Sequence, residues 1–169
     1  IRLSLVGSEM CIRDSIFSGP GEYEVGGAFI SGLGTFHDGE RGADRGKNTV
    51  YVVEMEGLTL CHLGDLGHAL TGQLARELGK VDILFVPVGD VTTLSVAEAR
   101  ALARTLQPRY VLPMHYQTEK ARHDLEPIET FLQAMATPQA ETRPRLQVSS
   151  TTLPLTAQVV VLSCDGRIG

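Results

Sequence analysis

The sequence predicts an α/β fold, and three observations carry that reading. Two β-rich segments, 48–55 and 58–63, are joined by Glu56-Gly57 in the manner of a tight hairpin. The run Val81-Asp82-Ile83-Leu84-Phe85-Val86-Pro87-Val88 is almost continuously apolar, as suits a strand covered on both faces. Between it and the next apolar run, 110–114, Val96, Ala99, Leu102, Ala103 and Leu106 recur at helical spacing. A chain of 169 residues, 43% apolar and 21% charged, is long enough for one domain with a real core.

Each element has a local cause. Gly19-Pro20-Gly21 marks a turn; Tyr23 and Val25, then Ala28 and Ile30 beyond a Gly26-Gly27 break, form two short strands. Residues 33–36 stay extended and end at His37-Asp38-Gly39, and the polar, Gly-rich stretch 40–47 is a surface loop. After Asp65, Thr71 is an N-cap and Gly79 a stop for a short helix carrying Leu74 and Leu78 one turn apart. Ser95 caps a longer helix that ends at Leu106, with Pro108 beyond it. A third helix spans 126–135, with Pro127 in its first turn. Residues 137–144 read as loop, and Val148 and 159–162 supply two late strands.

The chain divides at residue 16. Residues 1–15, IRLSLVGSEMCIRDS, lack both a signal-peptide core and a helical period that continues onward. The string resembles translated sequencing-adapter read-through, so it is expected to be non-native, leaving 16–169 as the domain. A disordered native arm is the alternative. The net charge of -5 argues against nucleic-acid and anionic-membrane partners. Arg41, Arg45 and Lys47 alternate with Glu40 and Asp44, which makes a solvated loop rather than a phosphate clamp. Cys11, Cys61 and Cys164 are odd in number and contain no C-x-x-C, which fits a reducing cytoplasm. No apolar run approaches the roughly 20 residues that span a bilayer.

In α/β sheets, ligands gather at the carboxyl ends of strands. Four candidates sit there: His37, Asp65, the Val88-Gly89-Asp90 corner and His115. Gly64 lets the backbone turn so that the Asp65 carboxylate projects from a strand end. A carboxylate there and an imidazole from the next strand make a neutral-plus-anionic ligand set suited to zinc. A lone strand-end histidine is nonetheless more often solvated or satisfied in the core. His62 lies three residues before Asp65, so the two do not share a face and a core role suits it. His68 and His123 read as exposed, Asp90 as a local cap for Thr92-Thr93, and Cys61 as buried core. Tyr116 and Thr118 border the pocket if His115 lines it.

The combination is sharper than its parts. Its motifs are Thr35-Phe36-His37-Asp38, Gly46-Lys47-Asn48-Thr49-Val50-Tyr51, Cys61-His62-Leu63-Gly64-Asp65, Val86-Pro87-Val88-Gly89 and Leu112-Pro113-Met114-His115-Tyr116. On these, the chain from Phe17 onward resembles the C-terminal half of a metallo-β-lactamase-fold hydrolase. The branch it resembles contains L-ascorbate-6-phosphate lactonase-like proteins and uncharacterised metal-dependent hydrolases. The resemblance implies an αββα sandwich, here incomplete and lacking its N-terminal strands. It also implies that His37 is an isolated mid-chain metal ligand, Asp65 a carboxylate bridging two metals, and His115 the last histidine ligand. The implied cofactor is zinc, one or two ions, with manganese or another divalent ion an alternative. The implied reaction is hydrolysis of a lactone, ester or phosphorylated small molecule by metal-bound hydroxide, with Asp65 holding the nucleophile.

The family's H-x-H-x-D-H signature has no counterpart in these residues. Three ligands at most are therefore expected, with poor zinc binding and no useful hydrolase activity for the chain as it stands. Loss of upstream strands is expected to leave an apolar sheet edge near Tyr51 and Val53, and with it a route to homo-oligomers. The competing class is a non-catalytic α/β interaction or regulatory domain whose metal site has been lost. A nuclease of the same fold is disfavoured by the acidic charge.

Overall fold

The structure is a computed structural model that describes residues 16–118 and 124–163. Residues 1–15, His123, Cys11 and Cys164 lie outside that set, and with them the expectations placed on them. The strands are β1 (Gly21–Val25), β2 (Ala28–Phe36), β3 (Lys47–Met55), β4 (Leu58–His62), β5 (Ile83–Pro87), β6 (Tyr110–Met114), β7 (Glu141–Arg143) and β8 (Gln158–Leu162). The helices are α1 (Gly72–Leu78), α2 (Val96–Leu106) and α3 (Ile128–Ala134). One eight-stranded sheet has the order β1-β2-β3-β4-β5-β6-β8-β7.

Its first half is an antiparallel meander and its second half is parallel. The meander follows from two-residue turns. Gly26-Gly27 has φ of 56 and 78°, and Glu56-Gly57 has φ of 51 and 75°. Positive φ at both central positions gives the turn twist that matches paired strands. The parallel half requires crossovers, and α1, α2 and α3 provide them. Thr71 Oγ1 accepts the N–H of Leu74 at 3.2 Å to cap α1. Ser95 and Glu98 cap α2 reciprocally, Ser95 N–H donating to Glu98 Oε2 at 2.9 Å and Glu98 N–H to Ser95 Oγ at 3.3 Å.

All three helices cover the same sheet face. There Val50, Val52, Cys61, Leu84, Val86, Val111 and Val159 pack against Leu74, Leu78, Leu102 and Phe131. The opposite face is also apolar. Ala28, Ile30, Tyr51 and Val53 gather there with Phe17 and Tyr23, while Ile83, Tyr110, Leu112 and Val160 gather with Leu146, Val148 and Leu153. A single sheet with helices on one side is half of a sandwich, in keeping with an incomplete metallo-β-lactamase fold.

Four details differ from the sequence reading. Residues 28–36 form one nine-residue strand, longer than the short one expected around Ala28 and Ile30. The expected loop 137–144 contains β7, which exists because it pairs in parallel with β8. Val148 belongs to no strand; it is a side chain from an irregular segment laid on the outer sheet face. Tyr51 and Val53 are not an exposed edge. Their strand lies between β2 and β4, and they are only 8% and 6% exposed because Ile30 and Phe17 cover them. The Tyr51 hydroxyl donates to the Phe17 carbonyl at 3.1 Å and accepts the N–H of Gly19 at 3.1 Å, which fastens that cover.

Candidate metal centre

β2 and β4 are each antiparallel to β3, and β4, β5 and β6 are mutually parallel. The carboxyl ends of β2, β4, β5 and β6 therefore share one rim. His37 directly follows β2, Asp65 lies three residues past the end of β4, and His115 directly follows β6. One strand intervenes between β2 and β4, and another between β4 and β6. With neighbouring strands about 4.8 Å apart, the three strand ends are spaced by about 10 Å.

The exposed Asp65 owes its position to the backbone before it. Gly64 has φ of 61°, a left-handed value that turns the chain off the strand direction. The Asp65 N–H donates to Asn48 Oδ1 at 3.0 Å, and the Gly64 N–H donates to His62 Nδ1 at 3.1 Å. The His62 ring itself stacks on Phe85 at 5.6 Å, on the face away from the helices. Burial of that ring lowers its pKa. His62 thus shapes the turn from within the apolar layer.

His37 is held from two sides. Its N–H donates to the Gly46 carbonyl at 3.1 Å, closing the 38–45 loop. Gly67, from the Asp65 loop, approaches so closely that a β-carbon on it would stand 2.2 Å from the His37 carbonyl oxygen. The Gly67 N–H also donates to the Phe36 carbonyl at 3.1 Å. The neighbouring Asp38 carboxylate is buried and accepts the N–H groups of Glu40, Gly42, Asp44 and Arg45 at 2.7–3.1 Å. Those bonds, that of Arg45 foremost, hold its carboxyl below the ordinary 3.8. His68, expected to be exposed, is half-buried. Its Nε2 lies 3.4 Å from the Phe36 N–H and its Nδ1 3.0 Å from the Ala69 carbonyl, which ties the ring to the end of β2.

His115 adopts φ of 55°, a left-handed conformation uncommon for a residue with a β-carbon. Gly89, at the end of β5, packs against it: a β-carbon there would lie 2.2 Å from the His115 carbonyl oxygen and 3.1 Å from its Nδ1. The Gly89 carbonyl accepts the N–H of Glu126 at 3.0 Å, and the Glu126 carbonyl accepts that of Gln117 at 3.0 Å. The segment after β6 is thereby stitched to the corner after β5.

The fold places His37, Asp65 and His115 on one rim, yet among the described residues no three His, Cys, Asp or Glu side chains form a group that could hold a metal ion. One atom does have the character of a ligand. Among the described residues His37 Nε2 is buried and has no hydrogen-bond partner, and an imidazole nitrogen left unpaired in the interior suits a cation. Cys61 is no substitute, since burial pushes its thiol up to about 12. The residue that sequence reading missed is Asn48. It stood inside a quoted motif, but only the sheet brings its side chain to Asp65. A cleft of about 720 Å³ bordered by Lys80, Arg104 and Arg109 lies at the opposite, amino ends of β5 and β6.

The Beta-lactamase superfamily domain profile matches residues 11–115. A UPF0173 metal-dependent hydrolase of Pyrococcus abyssi (strain GE5 / Orsay) is 35% identical over 100 residues, 58% of this chain and 44% of that protein. A second, from Pyrococcus horikoshii, is 34% identical over the same shares. The chain thus spans less than half the length of these curated relatives. The crystal structure of a candidate Zn-dependent hydrolase of the metallo-beta-lactamase superfamily from Thermotoga maritima has a TM-score of 0.75 at 38% identity, covering 88% of this chain and 71% of that one. Igni18, described as a novel metallo hydrolase from Ignicoccus hospitalis, shares the fold with a TM-score of 0.54 at 21% identity, over 72% and 52% of the two chains. A superfamily match over more than half of the residues, joined to a common fold at 38% identity, means that the chain belongs to the metallo-beta-lactamase superfamily.

Proposed function

We propose that this chain is the metal-site-bearing C-terminal part of a metal-dependent hydrolase, with His37, Asp65 and His115 as ligands and zinc as the first candidate ion. The observation that supports it most is the buried Nε2 of His37, without a hydrogen-bond partner among the described residues, on the rim shared with Asp65 and His115. A divalent ion there would polarise a carbonyl or phosphoryl oxygen and lower the pKa of water to about 7. Asp65, turned outward by Gly64, would orient the attacking water. His37 and His115 would anchor opposite sides of the site. The substrate proposed is a lactone, ester or phosphorylated small molecule, as in the L-ascorbate-6-phosphate lactonase-like branch.

Three ligands do not close two sites, since a catalytic zinc takes about three protein ligands of its own. The 169-residue chain alone is accordingly proposed to bind zinc more weakly than micromolar and to be inactive. No helix among the described residues is long and apolar enough to cross a membrane. A net charge of -5 supports a small-molecule partner over nucleic acid or an anionic membrane. A cytoplasmic setting and self-association belong to the same proposal.

The test compares the protein from the whole reading frame with its His37→Ala, Asp65→Ala and His115→Ala variants. Stoichiometric zinc and hydrolysis of a lactone or phosphoester panel are expected in the parent, with both lost in each variant. Retained zinc and retained turnover in all three variants would remove the assignment. The lack of a ready three-residue cluster among the described residues favours one rival, a non-catalytic domain that has lost its metal. A folded full-length protein that takes up no metal would establish that rival.

A further inference from the structure

We infer that Asn48 is a positioning residue for Asp65, an inference that rests on the reading of Asp65 as a metal ligand. The backbone ladder between β3 and β4 ends at the pair Tyr51–His62. Beyond that pair the β4 chain continues through Leu63 and Gly64 to Asp65 without main-chain bonds to β3. The Asn48 side chain takes over there. Its Nδ2 donates to the Leu63 carbonyl at 2.9 Å, and its Oδ1 accepts the Asp65 N–H at 3.0 Å. Its second Nδ2 hydrogen goes to Thr35 Oγ1 at 2.8 Å, on the buried Thr35 that is its register partner in β2. One amide thus ties three adjacent strands at the rim and fixes the residue that carries the carboxylate.

Gly64 completes the device. A β-carbon on Gly64 would lie 2.4 Å from Asn48 Oδ1, so the glycine that bends the chain also makes room for the amide. Aspartate at position 48 would lack both donors, and serine is too short to reach Leu63 and Asp65 together. Groups that orient a metal ligand from behind typically change metal affinity by about 10–100-fold when removed.

The test uses the intact chain and manganese(II) alone, whose paramagnetism broadens nearby NMR signals even when binding is weak. In the parent, broadening centred on the Asp65 amide and the His37 and His115 rings is expected. Its absence overturns the metal-site reading and this inference with it, before any variant is made. In Asn48→Ala and Asn48→Ser, apparent affinity should fall by about ten-fold or more, and Asp65 amide exchange should accelerate by about as much. Thr35→Val, which keeps Asn48 but removes its anchor on β2, should give a smaller loss and covers the case in which Asn48 variants do not fold. Val159→Ala, a core variant on the far side of β6, should lower the melting temperature without changing affinity. Affinity within about two-fold of the parent in a folded Asn48 or Thr35 variant, or an equal loss in Val159→Ala, would overturn the role of Asn48 while leaving the metal site standing.

Discussion

Gly89 faces the backbone of His115 with no space for a side chain: the nearest atom to a β-carbon there is the His115 carbonyl oxygen, at 2.2 Å. Gly67 stands in the same relation to His37, also at 2.2 Å. Two proposed histidine ligands are therefore each backed by a glycine from the loop after another strand of the same rim, β4 for His37 and β5 for His115. Close backbone approach is what glycine permits and alanine denies.

Gly89→Ala and Gly67→Ala are accordingly expected to destabilise the fold by about 1–3 kcal/mol each, the usual cost of forcing atoms into packed space. Gly39→Ala is the control, because a β-carbon there meets nothing within 4 Å. Urea unfolding midpoints should fall for the first two and stay nearly level for the third. Equal midpoints for all three would show that the loops yield freely.

The Asp38 carboxylate predicts an acid-side loss of stability. Its folded pKa lies below the ordinary 3.8, chiefly because the Arg45 N–H stabilises the charged form. The stabilisation is present in full above the unfolded pKa of about 3.9, and it disappears as pH falls through the lower folded value. Asp38→Asn would turn an amide N–H toward backbone donors of the 39–45 loop. Melting curves from neutral pH to below 3 should show a steeper acid decline for the parent than for the variant, and a lower melting temperature for the variant at neutral pH. Parallel curves would exclude Asp38 as the loop's organiser.

Much of the sheet was legible because each segment carries its own signal. Thr71, Ser95, Glu56-Gly57 and the run 81–88 specify local structure without reference to distant residues. The rim was legible for the same reason, since His37, Asp65 and His115 close recognisable strands. What sequence could not supply was strand order. Tyr51 and Val53 read as an exposed edge until β2 was found beside them. Glu141-Thr142-Arg143 has no apolar alternation and becomes a strand only through its partner β8. Asn48 escaped notice because its partners Thr35, Leu63 and Asp65 are 13–17 residues away and converge only in the sheet.

Asp82 predicts an asymmetry between two partners. Its side chain is 2% exposed, accepts the Thr59 N–H at 3.1 Å and lies 2.9 Å from Lys80 Nζ, whose own side chain is 76% exposed. Removing the carboxylate leaves a backbone donor without its partner, a cost of about 1–3 kcal/mol. Removing an exposed lysine costs about 0–1 kcal/mol. Asp82→Ala should therefore destabilise clearly more than Lys80→Ala in urea unfolding. The reverse order would mean that the ion pair, not the strand-bridging hydrogen bond, holds the start of β5.

Cys61 predicts the chemical behaviour of the core. Burial raises its thiol from 9.0 to about 12, and no cationic neighbour among the described residues offsets it. The reactive thiolate fraction near pH 8 is then lower by about three orders of magnitude than for an ordinary thiol, before steric exclusion is counted. Iodoacetamide should leave Cys61 unmodified in the folded chain and label it in urea, with peptide-level mass spectrometry separating it from Cys11 and Cys164. Because Cys61 pairs with both Val52 and Leu84 in the sheet, its labelling rate also reports opening between β3 and β5. That rate should follow the global unfolding equilibrium as urea rises. Rapid modification without urea would mean that the sheet parts beside β4, and the strand end that carries Asp65 could not then hold a fixed position.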